Sequence, residues 1–206
     1  VKLDKTGKIA DERVSARAGL KSSTVDREDV THIDAAQNQI IGSSAGLIPF
    51  IEKNYVYRAL MGSNQQRQAV PLIAPESPIV GTGVEAAAAQ NTGQLVVADA
   101  AGEVIKADAD KVVVKYKDGP VTYEAQHFVR SNEGTSINQH VVVSTGDKVK
   151  AGDPLIEGMS IQGGELALGK DLLVAFMPWA GYNFEEAIII SRKLVEVDTL
   201  TSLAIV

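Results

Sequence analysis

No cysteine occurs in the 206-residue chain, so disulfides, thiolate–zinc sites, iron–sulfur clusters and cysteine nucleophiles are excluded together. Histidine is scarce as well. His32, His127 and His140 stand far apart with no other ligand-type residues flanking them, and a histidine-rich metal site is not expected. No apolar run approaches the roughly 20 residues that a membrane span requires, and no charged-then-apolar leader opens the chain. A soluble, cytoplasmic protein with no membrane contact is expected. The formal net charge of −6 argues against a surface that coats nucleic acid, because counterion release needs clustered lysine and arginine. Any contact with nucleic acid has to be local.

One absence is itself local. Residues 53 to 75 hold no Asp or Glu, although the chain has 26 acids, while Lys53, Arg58 and Arg67 all fall inside the stretch. Its centre, "YRALMGSNQQRQAVPL", carries two arginines, one asparagine and three glutamines before Pro71. The spacing predicts a helix from Asn54, as N-cap, to about Gln68, with Pro71 stopping it. Arginine offers a planar fork to phosphate, and amide side chains offer neutral hydrogen bonds to ribose and backbone oxygens. Such a set reads shape and charge without reading sequence. The bland alternative is a solvated helix face.

With 45% apolar residues the chain can bury a real core, and most of its pattern is β. "VSARAG" and "QNQIIGSSAGLIPF" are β-prone, "VEAAAAQNTG" fits one or two helical turns, and "GQLVVADAAGEVIKADADKVVVKYKDGPVTYEA" alternates short β-rich segments with turns. "GDKVKAGDPLIEG" sets a Gly-Asp turn before each apolar pair, as in a compact hairpin-built barrel. Further on, "LLVAFM" reads as an apolar strand, "PWAGYN" as a tight turn, and "FEEAIIISRKLVEVD" as either a helix or a strand leading into one. Trp179 and Tyr182 read as core and turn anchors. Asn183 followed three residues later by Glu186 has the form of a capping box. "TLTSLAIV" closes the sequence as an alternating strand without a partner, and the chain is expected to be a piece of a longer protein.

Two resemblances follow. "GDKVKAGDPLIEG" resembles the barrel-sandwich hybrid fold of biotinyl and lipoyl carrier domains, although the upstream "SINQHVVVST" lacks the lysine that carriers modify. A carrier-like or scaffolding module, without enzyme activity, is the competing reading. Residues 47 to 85, 130 to 158 and 164 to 191 together, in order, resemble the β-subunit family of bacterial multisubunit DNA-directed RNA polymerases. Only about the first thirty residues and the stretch from 93 to 126 match loosely.

This second resemblance implies a mainly β fold with short helices. Residues 1–46 are then the edge of an external β-rich domain, and residues 47–92 a hybrid-facing segment with its helix. Residues 93–163 are a barrel-sandwich hybrid insertion, and residues 164–206 return to a double-psi β-barrel. The fragment ends before the flap. The implied function is a fragment of a nucleotidyltransferase core that positions the incoming nucleotide and the RNA 3′ end in the RNA–DNA hybrid channel. In the family, the positions matching Arg58 and Asn64 lie near the nucleotide's phosphates and ribose, and those matching Arg67 and Gln68 near the RNA 3′ end. Those matching Glu185 and Glu186, usually Glu then Asp, approach the second Mg2+, often through water. Here Glu186 departs from that pattern by one methylene. The catalytic Mg2+ belongs to an aspartate triad of the β′ subunit, and this chain has no such motif, so by itself it is expected to be catalytically silent. The implied partners are the β′ subunit, the α dimer, ω and σ factor, with DNA template, RNA and nucleoside triphosphates, and the implied location is cytoplasmic and nucleoid-associated.

Overall fold

A computed structural model describes residues 1–33 and 37–206. Two compact units result, Val1–Gly42 and Ser43–Val206. The first is built on a hairpin of β1 (Arg13–Ala18) and β2 (Lys21–Asp26), whose strand ends Ala18 and Lys21 pair across Gly19 and Leu20. Gly19 supplies the left-handed conformation of the turn at φ +60, and an Arg13–Asp26 ion pair of 3.1 Å closes the open end. "QNQIIGSSAGLIPF" forms no strand. A 3-10 turn spans Gln37–Ile40 and a short helix, α1, spans Ser43–Gly46. The three isoleucines in this stretch are outnumbered by small and amide residues, which accept tight helical turns.

In the second unit α2 (Val56–Arg67) is followed by an extended exit and by α3 (Glu85–Asn91). Ten of the remaining strands are short: β3 (Val96–Val97), β4 (Gly102–Ala107), β5 (Lys111–Tyr116), β6 (Gly119–Glu124), β7 (Val129–Arg130), β8 (Ser136–Ile137), β9 (His140–Val141), β10 (Lys148–Val149), β11 (Pro154–Glu157) and β12 (Ile161–Gln162). β13 (Glu165–Leu166) and the five-residue helix α4 (Arg192–Glu196) complete the elements. An antiparallel sheet in the order β10-β4-β5-β6 and a second in the order β3-β11-β9 share one core of Ala98, Val104, Val112, Val114, Val149, Leu155 and Ile156. β5 shows why. Val112 and Val114 are fully buried while Lys111 and Lys115 are exposed, the two-residue period of a strand with one wet face. Burying a side chain such as Leu155 or Ile156 stabilises by about 1.5–3 kcal/mol.

The two Gly-Asp turns are near copies of each other. Asp147 Oδ2 accepts from the Ser144 amide at 2.7 Å, and Asp153 Oδ2 from the Lys150 amide at 2.8 Å. Gly146 and Gly152 take φ +95 and +89, which a Cβ would oppose. The expected hairpin does not form between them, however: β10 pairs with β4, and β11 with β3 and β9. Each turn hands the chain from one sheet to the other. α3 is seated separately, with Ala89 buried against Leu95 and Ile161.

Beyond the sheets the apolar pattern misleads. "LLVAFM" joins no ladder, and Leu173 and Phe176 are essentially fully exposed. Trp179 and Tyr182 lie on the surface, not in a core. "TLTSLAIV" makes isolated bridges only, Leu72 to Ser202 and Thr135 to Ala204. α4 begins at Ser191, whose hydroxyl accepts from the Lys193 amide, so the capping box expected at Asn183 and Glu186 is not formed.

Candidate nucleotide and nucleic-acid interface

The acid-free island becomes α2 and its exit. Tyr55 is the N-cap, and the Asn54 carbonyl oxygen Oδ1 accepts from the Tyr55 amide at 2.8 Å. At the other end the Gln68 amide is shared between the carbonyls of Asn64 and Gln65, at 3.1 and 3.2 Å, before Pro71 ends the run. α2 has no buried residue, so its form rests on local bonds and on the flank that faces α1.

An unbroken helix fixes directions. Nine positions at about 100° each put Arg58 and Arg67 on roughly opposite sides. Arg67 reaches back one turn and hydrogen-bonds through Nη2 to Asn64 Oδ1. Arg58 leans on Met61, with Nη1 3.9 Å from the sulfur. Arg58, Arg67 and Gln68 are exposed and Asn64 is half-buried. The structure thus joins Asn64, Arg67 and Gln68 at the helix end and leaves Arg58 as a separate cation near its start.

Glu185 and Glu186 come from a different setting. The turn over Pro178 to Asn183 is fastened by Asn183, whose Oδ1 accepts from the Trp179 amide at 2.9 Å and whose Nδ2 donates to the Met177 carbonyl at 2.7 Å. Asn183 therefore serves the turn in place of a helix start. Glu185 follows with φ +57, a left-handed conformation that is uncommon for a side-chain-bearing residue and collects at functional sites. Both carboxylates are exposed, and among the described residues neither has a hydrogen-bond or ion-pair partner.

Hard carboxylate oxygens with no protein partner suit Mg2+, which keeps several waters and commonly takes only one or two carboxylates. No group of three or more His, Asp or Glu residues that could hold a metal exists among the described residues. The pair fits a metal shared with other ligands and does not form a complete cage.

Behind α2 lies a cleft of about 300 Å³ that the sequence reading missed. Gln66, Glu76, Glu85, Lys170 and Asp171 supply its polar wall, and Gln66 Oε1 is buried there without a partner. Glu85 is buried, accepting from the Thr82 amide at 2.7 Å, the Thr82 hydroxyl at 3.2 Å and the Gly83 amide at 2.8 Å. The Thr82 bond above all holds its carboxyl below the usual range, against the opposing effect of burial. "TGVE", a Thr with an acid three residues on, is the signal that marks this arrangement in the sequence.

Comparison with known proteins bears on the family of the chain. The chain is 49% identical over 98% of its length to the "DNA-directed RNA polymerase subunit beta" of Leifsonia xyli subsp. xyli. It is 50% identical over 98% to that of Chlamydia felis, and 47% identical over its whole length to that of Pseudothermotoga lettingae. It spans only 16 to 18% of these relatives. The sequence pattern of the family described as RNA polymerase Rpb2, domain 6, matches residues 97–206. The chain belongs to that family, as a mainly β segment with short helices from a bacterial-type RNA polymerase β subunit.

Proposed function

We propose that this chain is part of the catalytic core of a DNA-directed RNA polymerase, where it positions the incoming nucleotide and the RNA 3′ end in the hybrid channel. The observation that carries the reading is α2: an exposed, acid-free helix bearing Arg58, Asn64, Arg67 and Gln68, in a chain about half identical to polymerase β subunits. Arg58 binds the triphosphate, and Asn64 offers its amide to the ribose. Arg67, already oriented by Asn64, and Gln68 hold the RNA end. Arg58 and Arg67 face opposite ways and take different ligands, and Asn64, bonded to Arg67, meets the ribose where the two ligands adjoin. Attack of the RNA 3′-hydroxyl on the α-phosphate then starts from aligned reactants, and alignment is the chief contribution such side chains make.

Glu185 and Glu186 would face the second Mg2+ through water. When bound, that ion neutralises charge on the nucleotide phosphates and the departing pyrophosphate. The β′ subunit supplies the remaining ligands, and the α dimer, ω and σ factor complete the enzyme, which is cytoplasmic and nucleoid-associated. In the finer fold reading, residues 93–163 are a barrel-sandwich hybrid inserted into part of a double-psi β-barrel. The two-sheet core supports that reading, with near-identical turns passing the chain between its sheets.

Arg58→Ala in the complete polymerase tests the proposal. A charge-assisted hydrogen bond contributes about 1.5–3 kcal/mol, so nucleotide efficiency should fall roughly ten- to a hundredfold, most at low nucleotide. Assembly and promoter binding should be unchanged, and Arg58→Lys should restore only part, since a point charge replaces a fork. Unchanged addition rates across a nucleotide titration would reduce α2 to a solvated helix face.

A further inference from the structure

The chain leaving α2 does not run free. Ile73 donates its amide to the Thr201 carbonyl at 2.9 Å, and Glu76 donates its amide to the Gly169 carbonyl at 2.9 Å. Ser77 is held twice by Gln162, amide to Oε1 at 2.8 Å and hydroxyl to the backbone carbonyl at 3.0 Å. The Ile79 amide reaches Asp171 Oδ2 at 3.2 Å. These bonds clasp the exit of α2 onto both ends of the excursion that carries Glu185 and Glu186. Within the clasp Lys170 Nζ lies 3.0 Å from Glu76 Oε1, and the lysine side chain is only 19% exposed. Among the described residues this is the one lysine or arginine ion pair that joins segments remote in sequence; the others close a hairpin or lie within a few residues. Both partners line the cleft into which Gln66 of α2 also faces.

We propose that Lys170, through Glu76, is a positioning residue for nucleotide addition: the ion pair sets the spacing between α2 and the acidic turn. The inference rests on the nucleotide-positioning role proposed for α2. Hydrogen bonds to Thr201, Gly169, Gln162 and Asp171 hold the exit segment along its length, and the ion pair adds a charged side-chain tie across the cleft. A partly buried cation deprived of its acid would move toward water and draw the 169–171 segment with it. The distance between the groups that grip the triphosphate and the carboxylates near its metal would then change, and binding would be affected before folding.

Complete polymerases carrying Lys170→Met, Glu76→Gln, and the exchange Glu76→Lys with Lys170→Glu test this, with Arg58→Ala measured beside them. Each single variant should raise the nucleotide KM about three- to tenfold, with a smaller change in kcat and an increased Mg2+ requirement, as expected when a modest ion pair is lost from the binding geometry. The exchange should recover most of the loss, and the thermal midpoint of the enzyme should stay within a few degrees. Wild-type KM in both single variants overturns the proposal, as does an exchange no better than either of them. If a single variant does not assemble, the exchange and Lys170→Arg decide alone, and a wild-type-like KM in both is required. A normal KM in Arg58→Ala would instead strike at the function proposed for α2, whatever the ion pair does.

Discussion

The two-sheet core is poorer in apolar residues than the segment from 171 to 190, yet it is the core that buries them. In the first, Val104, Val112, Val114, Leu155 and Ile156 are sealed from water. In the second, Leu173, Phe176, Phe184 and Ile188 are at least three-quarters exposed, and α2 likewise buries nothing. The core region closes on itself because its turns return each strand to a neighbour. The second region sends an apolar ribbon outward with no ladder to join. A contiguous apolar surface of this kind marks an interface in a soluble protein, and the chain covers less than a fifth of its relatives' length. Stability therefore resides in the two-sheet core, and the proposed functional side chains sit on exposed elements outside it.

Removing bulk from the core is the largest expected perturbation of that contrast. Ile156→Ala should cost about 2–5 kcal/mol, read from urea unfolding followed by circular dichroism. Gly102→Ala comes next. Its new Cβ would lie 2.7 Å from the Lys115 carbonyl oxygen and 2.9 Å from Val114 Cγ1. Backbone oxygen cannot retreat as a side-chain tip can, so a cost of about 1–3 kcal/mol is expected.

Glu85 gives a smaller, pH-dependent effect. Its carboxyl titrates below the ordinary value of 4.5 in the folded chain, because amides and a hydroxyl bind the ionised form. The stabilisation is fully present above that ordinary value and is lost as pH falls through the folded one. Glu85→Gln should remove about 1 kcal/mol at pH 7 and flatten the acid limb of stability against pH. An unchanged acid limb would mean that these bonds do not favour the charged carboxyl. Smallest of all, Leu173→Ser should change stability by no more than about 0.5 kcal/mol, since nothing packs on it. A loss as large as that of Ile156→Ala would erase the distinction between the two regions.

What the sequence disclosed follows the same divide. α2, α3 and β4 to β6 were legible because their information is local: a proline stop, an alanine run, three consecutive valines between lysines. The Gly-Asp turns were legible too, but not the partners of the strands they precede, since pairing across sheets is decided by the whole core. "LLVAFM" was misread because composition signals burial without saying what does the covering. The surface positions of Trp179 and Tyr182 share that cause. At the site, Arg58, Asn64, Arg67 and Gln68 announced themselves by residue type within an acid-free window. The Glu76–Lys170 pair did not, because 94 positions separate its partners and no local pattern links them.

Amide hydrogen exchange on the chain reads the central contrast residue by residue. β5 is paired on both sides, with β4 and in an unbroken register with β6, whereas among the described residues none of the amides from 172 to 177 donates a hydrogen bond. Exchange should be slowed about a thousandfold or more at Val112 and Val114, and should run close to the unprotected rate from 172 to 177. Comparable protection in the two segments would contradict the division between a self-sufficient core and an open functional surface.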